Sequence, residues 1–346
     1  MENKKKIPSW LKISILLIFV VGGYFGWTAY KTFLASNVTD NQKYLYINTG
    51  DTYAQVLQKI KEQKIVSDPT SFDRAAKYQN YTDNVKPGRY ALTPGMNNRR
   101  FIGNLRGGYQ EPVKFRFENI RLKENFAAKL ADNFEADSVT FLTLLNNEDL
   151  AKSYGFTKDN FIAMFIPNTY ELYWNTTPEK LFARFHDEWE KFWTPERLAK
   201  AKAINLTPQQ VSSLAAIVKG EALHKDEMPA IAGLYLNRLQ KGMLLQADPT
   251  VIFANNDFTI RRVLNKHLRI DNPYNTYVYK GLPPGPIMMP SIVAIDAVLN
   301  YKHHDYIYMC AKEDFSGYHA FATNVAEHQI NARKFQKALD ERNIKK

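Results

Sequence analysis

Hydrophobic and polar positions change their spacing along the chain, and these changes divide it into segments. A continuous apolar run comes first, two segments mix strand-like alternation with helical spacing, and one segment is mostly helical. The pattern predicts an α+β protein. Its expected parts are an N-terminal tail (1–9), a transmembrane helix (10–32), a spacer (33–42), a small α+β module (43–110), a helical linking region (111–205) and a C-terminal α+β domain (206–346).

The N-terminal apolar run is long enough to cross a membrane. Residues 13–30 carry no charged side chain, and at about 1.5 Å per residue they nearly match a hydrocarbon core of about 30 Å. Lysines at positions 4, 5, 6 and 12 predict that residues 1–9 are cytoplasmic and that the remaining chain lies outside the cytoplasm. The alternative is a cleaved signal peptide, although no Ala-x-Ala site follows.

Residues 43–110 predict a small module of strand, helix, helix and strand. The strands are expected at 44–48 and 88–92, and Asp68 with Pro69 marks the start of the second helix. This order is that of LysM-like glycan-binding modules. Other small α+β units share the order, so both interpretations stay open.

The linking region predicts helices near residues 123–132, 137–146 and 178–191. An aromatic segment, 165–174, interrupts them with the sequence Phe-Ile-Pro-Asn-Thr-Tyr-Glu-Leu-Tyr-Trp. Such a segment is typical of a buried strand or loop. The alternative is one wall of a carbohydrate cleft, where aromatic faces cover sugar rings.

One helix of the C-terminal domain places a carboxyl group among apolar positions. Thr207 supplies its N-cap and Pro208 its first turn. Apolar residues follow with the spacing of one helix face, at Val211, Leu214, Ala215 and Val218. Glu221 falls about 20° from Leu214 on this face. Burial without a cation raises the pKa of a carboxyl, so we expect Glu221 to act as a general acid.

The alternative for Glu221 is an ordinary surface pair with Lys225, four residues further on. Such a pair would keep the carboxylate ionised and contribute little to stability. Gly220 argues against it. A glycine inside a helix costs about 1 kcal/mol relative to alanine, and it often marks the close approach of another group.

Further polar residues are candidates for holding a substrate. One cluster follows a helix end, another precedes the proline-rich loop 281–287, and a histidine lies near the C-terminus. Prolines hold backbone carbonyls in fixed positions, which suits binding of the amide and hydroxyl groups of an amino sugar. Caps, structural loops and a satisfied histidine are the alternatives. The candidates are Gln246, Asp248, Thr250, Tyr274, Asn275, Tyr277 and His319.

Charge and cysteine content narrow the function classes. The net charge is +11, yet no ribonucleoprotein, helix-turn-helix or zinc-finger spacing appears, so nucleic acid is not an expected partner. Outside the cytoplasm, anionic lipids and wall polymers are the candidates, beside a merely basic surface. The single Cys310 excludes an intramolecular disulfide and reads as a small hydrophobe. No zinc spacing, P-loop or GxGxxG is present, so we expect no metal and no cofactor.

Six motifs stand in a recognisable order. They are Ala215-Ala-Ile-Val-x-x-Glu221, Asn237-Arg-Leu239, Gly242-Met-x-Leu-Gln-x-Asp-Pro-Thr250, Tyr274-Asn-Thr-Tyr277, Gly281-Leu-Pro-Pro-Gly-Pro-Ile287 and His319-x-Phe321. In these motifs the chain closely resembles the YceG-like endolytic murein transglycosylases. The resemblance covers most of the chain past the apolar run. It implies a LysM-like module, a linking region and a catalytic domain whose catalytic glutamate is Glu221.

The chain departs from the family pattern at two positions. Members commonly carry Glu-Lys-Glu at the catalytic position, whereas this chain has Lys219, Gly220 and Glu221. Glu221 is therefore the one candidate in this motif. The family's Pro-Asp-Thr-Tyr reads Pro-Asn-Thr-Tyr here, and Asn168 puts any charged role at that position in doubt.

The reaction that the resemblance implies is cleavage of the β-1,4 bond between N-acetylmuramic acid (MurNAc) and N-acetylglucosamine (GlcNAc) within a strand. Glu221 would protonate the leaving oxygen, and the MurNAc C6 hydroxyl would close a 1,6-anhydro ring. Peptidoglycan strands, the bacterial cell membrane and peptidoglycan synthases are the partners expected, and terminating strand elongation is the expected role. The alternatives are a hydrolytic muramidase and a non-catalytic, membrane-tethered peptidoglycan-binding scaffold. The ends of the products distinguish a transglycosylase from a hydrolytic muramidase, because hydrolysis leaves reducing ends.

Overall fold

The protein is described here from a computed structural model that covers residues 8–342. Residues 1–7 of the predicted tail lie outside the described part. The chain divides into two compact units. One comprises Met1–Lys114 and Glu171–Thr176, and the other Phe115–Tyr170 and Thr177–Lys346. Helices and two-stranded sheets occur together, so the fold class is α+β as predicted.

The first part of the chain contains one long apolar helix and a small α+β module. Its elements are α1 (Ser9–Ala29), a π-helical turn (Tyr30–Leu34), β1 (Tyr44–Ile47), α2 (Tyr53–Glu62), α3 (Pro69–Tyr78), β2 (Gly88–Ala91) and α4 (Asn98–Gly107). The predicted strand–helix–helix–strand order is present, and β1 pairs with β2 antiparallel. Leu45 and Ile47 point into the core while Tyr46 faces outwards, as strand alternation requires.

The helix α1 and its π-helical turn form a candidate membrane span. Together they run over Ser9–Leu34 with a mean hydropathy of 1.7, and no residue of α1 is buried. A helix that exposes apolar side chains along its whole length suits a lipid environment, and a signal sequence has the same properties. The predicted span 10–32 coincides with this helix.

The second part of the chain is mainly helical with two short sheets. Its elements are β3 (Val113–Arg116), α5 (Lys123–Ala131), α6 (Ser138–Leu145), α7 (Glu148–Ser153), β4 (Thr169–Leu172), α8 (Pro178–Phe192), α9 (Pro195–Ala203), α10 (Pro208–Glu221), α11 (Met228–Gln240), α12 (Asp248–Ala254), α13 (Ile292–Leu299), β5 (Tyr308–Ala311), β6 (His319–Ala322) and α14 (Val325–Glu341). Strands β5 and β6 pair antiparallel. The helices α7, α9, α12, α13 and α14 were not predicted.

The core of the second unit surrounds α10. Every residue from 211 to 218 is buried, so this helix is enclosed on all sides rather than on one stripe. Its two buried serines are satisfied within the helix, because Ser212 and Ser213 donate to the carbonyls of Pro208 and Gln209 at 3.1 Å each. The expectation of a one-sided helix was therefore wrong. Glu221 is the last residue of this buried helix, at the point where it leaves the core.

Candidate active site

Glu221 is held by hydrogen bonds at the C-terminal end of α10. The hydroxyl of Tyr235, on α11, donates to its Oε1 at 2.8 Å, and the backbone N–H of Asp248 also acts on the carboxyl. Burial raises the pKa of Glu221 to about 7, although Tyr235 and the backbone of Asp248 favour the ionised form. The Glu221 carboxyl can therefore carry a proton near neutral pH, as a general acid must.

Gly220 allows the start of α12 to reach the glutamate. A Cβ at this position would lie 2.8 Å from Cβ of Pro249, which is closer than real Cβ atoms come. The close approach that a helical glycine predicted is thus confirmed. Because Pro249 can pack against the bare backbone, the N–H of Asp248 comes within hydrogen-bond range of Glu221.

Glu221 opens into a small polar cleft of about 230 Å³. Its wall combines α10, α11, the start of α12 and strand β5. Five of the eight predicted site residues line it: Glu221, Gln246, Asp248, Tyr277 and His319. The other lining residues are Leu234, Tyr235, Arg238, Leu245, Met309, Cys310 and Ala311.

A second carboxylate, Asp248, is exposed on the wall of this cleft. The hydroxyl of Tyr277 donates to its Oδ1 at 2.6 Å. Burial and this hydrogen bond raise the pKa of Tyr277, so its proton stays in place as a donor. The negative charge of Asp248 adds to the burial that raises the pKa of Glu221. Two carboxyl groups in different surroundings thus share one cleft.

Arg238 is a buried cation beside the acid, yet its donors go elsewhere. Its Nε donates to the carbonyl of Ile307 at 2.6 Å, and its Nη1 to the carbonyls of Leu244 and Leu245 at 3.2 and 2.8 Å. The same Nη1 donates to Oε1 of Gln246 at 3.3 Å. No hydrogen bond joins Arg238 to Glu221 among the described residues, so the glutamate keeps a raised pKa.

His319 is fixed by a carboxylate that sequence reasoning missed. Glu227 is 6% exposed. Its Oε2 lies 2.8 Å from Nδ1 of His319, and its Oε1 accepts the backbone N–H of the same residue at 2.7 Å. The two residues are 92 positions apart, so no local pattern could pair them. The available signal was an acidic residue immediately before the Met-Pro start of α11.

Thr250 and Asn275 lie outside the cleft lining and hold the loops behind it. The hydroxyl of Thr250 donates to the carbonyl of Ala247 at 2.6 Å and lies 2.7 Å from the hydroxyl of Thr276. Asn275 is buried, and its amide donates to the carbonyls of residues 268 and 270 at 2.9 Å each. Its Oδ1 accepts the backbone N–H of Tyr277 at 3.0 Å. Both side chains therefore use their polar atoms internally.

Tyr274 also lies outside the cleft lining. Its ring packs on that of Phe253 with centroids 4.7 Å apart, and its hydroxyl donates to the carbonyl of Asp159 at 3.3 Å. Within the described residues, one His/Asp/Glu group could hold a metal ion, namely His186, Asp187 and Glu190 on the surface of α8. None of its members lines the cleft.

The fold and the site define an α+β protein with one raised-pKa carboxyl in a small polar cleft, which is the arrangement of a general-acid site. The family model of the YceG-like family matches residues 45–334. The chain belongs to this family.

Relatives and a solved structure agree with this assignment. The chain is 26% identical to the endolytic murein transglycosylase of Bacillus subtilis strain 168, over 93% of both chains. It is also 26% identical to the endolytic murein transglycosylase of Streptococcus pneumoniae serotype 2 over 91% of its own length, but it spans 63% of that relative. The crystal structure of the yceG-like protein lmo1499 from Listeria monocytogenes has the same fold, with a TM-score of 0.56 and 22% identity; it covers 83% of this chain and 97% of that one.

Proposed function

We propose that the protein is an endolytic murein transglycosylase, a lyase that cleaves the MurNAc-β-1,4-GlcNAc bond within peptidoglycan strands. The observation that carries the proposal is a single carboxyl, Glu221, with a pKa raised to about 7 in a polar cleft. Membership of the YceG-like family supports the reaction class, as do relatives named endolytic murein transglycosylase.

In the proposed reaction, Glu221 protonates the glycosidic oxygen as the bond to the MurNAc anomeric carbon breaks. The C6 hydroxyl of the same MurNAc attacks that carbon and closes a 1,6-anhydro ring, so no water is consumed. An attacking group within the substrate has a high effective concentration, which favours this closure over hydrolysis. Asp248, exposed on the same wall, is suited to stabilise positive charge that develops at the anomeric carbon.

Sugar binding is assigned to the polar residues that line the cleft. Gln246, Asp248, Tyr277 and His319 offer hydrogen-bonding groups beside Glu221. Thr250, Tyr274 and Asn275 act indirectly in this proposal, by holding the loops that carry those groups. The left-handed backbone of Gln246, with φ of 52°, supports a constrained role for that position.

The N-terminal parts are proposed to place this site at the wall. The apolar helix over Ser9–Leu34 would anchor the protein once in the cell membrane, with its N-terminus cytoplasmic. The module over 43–110 would bind glycan in the manner of LysM-like domains. Action close to the membrane, where strands are made, would terminate their elongation and bring the protein near peptidoglycan synthases.

The topology can be tested with one introduced thiol. Val325 is 50% exposed, and Cys310 is the chain's single cysteine. A Val325→Cys variant in a Cys310→Ala background should react with a membrane-impermeant thiol reagent in intact cells stripped of their outer layers. Labelling that appears only after lysis would place this domain in the cytoplasm and contradict the proposal.

The reaction is tested by mass spectrometry of products from purified glycan strands. The expected products carry 1,6-anhydro-MurNAc ends, and Glu221→Gln should reduce their formation by about 10²–10⁴-fold. Glu313→Gln, at an exposed carboxyl next to β5, is the matched control and should keep full activity. Reducing ends would identify a hydrolytic muramidase. If the unmodified protein cleaves no glycan, the remaining alternative is a non-catalytic, glycan-binding scaffold.

A further inference from the structure

A second proton-transfer group lines the cleft that holds Glu221. His319 has its Nδ1 2.8 Å from Oε2 of Glu227, whose other oxygen accepts the backbone N–H of the histidine. An ionised carboxylate can only accept hydrogen bonds, so Nδ1 carries a proton. When the ring is neutral, the other nitrogen, Nε2, is therefore its acceptor.

The segment that follows Glu221 fixes the hairpin on which His319 lies. The hydroxyl of Tyr318 donates to Oδ2 of Asp226 at 3.0 Å. The ring of His224 stacks on Tyr318 with centroids 4.0 Å apart, and its Nε2 lies 2.8 Å from the carbonyl of Ser316. Residues 223–227 therefore position His319 relative to Glu221.

The side chain of His319 lines the same small cleft as Glu221. Nε2 makes no hydrogen bond to any described residue, and the side chain is 14% exposed. Glu221 and His319 both line the cleft of about 230 Å³, so a sugar bound there would lie beside both side chains. The charged and titratable groups around the ring are Glu227 behind it and, on the cleft walls, Glu221, Tyr235, Arg238, Asp248, Tyr277 and Cys310.

We propose that His319 is the base of the anhydro-forming step and that Glu227 positions it. This inference rests on the proposed function. The bond between MurNAc C1 and GlcNAc O4 breaks while Glu221 gives its proton to O4. The C6 oxygen of MurNAc bonds to C1, and the hydroxyl proton passes to Nε2 of His319. Proton exchange with solvent then restores the acid and the base.

This assignment divides two tasks between two groups. Glu221 is protonated when the reaction starts, so it cannot accept a proton until it has given one up. Asp248 is the other acceptor in the cleft, but its Oδ1 already accepts the hydroxyl of Tyr277. Imidazole is the commonest general base in enzymes, and a buried carboxylate behind it is the usual means of orienting it.

The first test removes the imidazole and supplies it again. His319→Ala in the full chain should lower the rate of anhydro-end formation on purified glycan by about 10²–10⁴-fold, and added imidazole should restore at least part of that loss. Glu221→Gln should show no rescue by imidazole. His303→Ala, at an exposed histidine of the same unit, is the control and should retain full activity. Loss of activity in His319→Ala without rescue would assign the ring to sugar binding and overturn the proposal.

The second test uses Glu227→Gln, which keeps the ring but removes the charge behind it. The imidazolium loses its counter-charge, so the acidic limb of the kcat profile should move to lower pH, while KM stays within about threefold. If the acidic limb of the kcat profile does not move, Glu227 and His319 form a merely structural pair, which would contradict the assignment of His319 as the base. If the alanine variant fails to fold, as judged by thermal unfolding, His319→Gln takes its place and should lose the acidic limb. A Glu221→Gln variant that cleaves normally would instead defeat the proposed function.

Discussion

The hydroxyl of Tyr235 donates a 2.8 Å hydrogen bond to Oε1 of Glu221. This bond favours the ionised carboxylate, yet burial still holds the pKa of Glu221 at about 7. Arg238, the nearby cation, donates its hydrogen bonds to backbone carbonyls and to the side chain of Gln246. Desolvation therefore dominates at this carboxyl, and the hydrogen bond from Tyr235 sets how far above its ordinary range the pKa lies.

Removing that hydroxyl should shift the pH dependence of cleavage in a defined direction. The proposed reaction needs a protonated Glu221, so activity should fall as pH rises through about 7. Tyr235→Phe keeps the buried ring and removes the donor, which raises the pKa of Glu221 further. We expect the alkaline limb of kcat/KM to move up by as much as about one pH unit, or about 1.4 kcal/mol. A limb that moves down, or stays in place, would contradict this account.

The same carboxyl, which is partly buried by its accessible surface, should cost stability at neutral and alkaline pH. Its pKa is about 7 in the folded protein against an ordinary 4.5, so between these values the folded state binds more protons than the unfolded state. Stability is then lost as pH rises through this window. Glu221→Gln removes the loss, so at pH 8 its free energy of unfolding should exceed that of the unmodified protein by about 1–3 kcal/mol. It should therefore also unfold at a higher temperature at that pH. The two proteins should unfold alike near pH 4, and equal unfolding at pH 8 would refute the buried acid.

Gly220 should tolerate no side chain. A Cβ there would lie 2.8 Å from Cβ of Pro249, so Gly220→Ala must displace the start of α12 and the N–H of Asp248. We expect a loss of about 1–3 kcal/mol in stability and a marked fall in cleavage rate. Gly103→Ala in α4 is the matched control, because nothing lies within 4 Å of its added Cβ. That variant should gain up to about 1 kcal/mol from helix propensity. Chemical denaturation measures both changes.

How far the sequence predicted the site depends on the range of each interaction. Glu221 could be singled out as a candidate because helical spacing and a neighbouring glycine are local signals. Glu227 was missed because its partner lies 92 residues away. Arg238 also binds a partner that is distant in the sequence, since its Nε donates to the carbonyl of Ile307. Pairings of this kind are decided by the tertiary fold, which a single sequence pattern does not encode.

Element prediction failed where two kinds of segment look alike. Residues 248–254 begin with Asp-Pro, which favours a turn as much as a helix start, and they form α12. The helix α13 is apolar except for Asp296, so it shows no helical alternation between polar and apolar faces. In contrast, residues 207–210 carry an N-cap, a first-turn proline and a reciprocal Gln bond, and α10 begins there as predicted.

Thr250 offers a direct test of whether a motif residue holds the fold or the sugar. Its hydroxyl is buried and lies 2.6 Å from the carbonyl of Ala247 and 2.7 Å from the hydroxyl of Thr276. Thr250→Val keeps the shape and removes both of these hydrogen bonds, while the carbonyl of Ala247 and the hydroxyl of Thr276 keep their bonds to backbone N–H groups. At about 0.5–1.5 kcal/mol for each lost bond, the change should cost about 1–3 kcal/mol of stability. Thr143→Val, at an exposed hydroxyl that bonds only to its own helix, should change stability by less than about 0.5 kcal/mol. We expect the folded fraction of Thr250→Val to keep a normal KM for glycan. A raised KM with unchanged stability would instead make Thr250 a direct sugar contact.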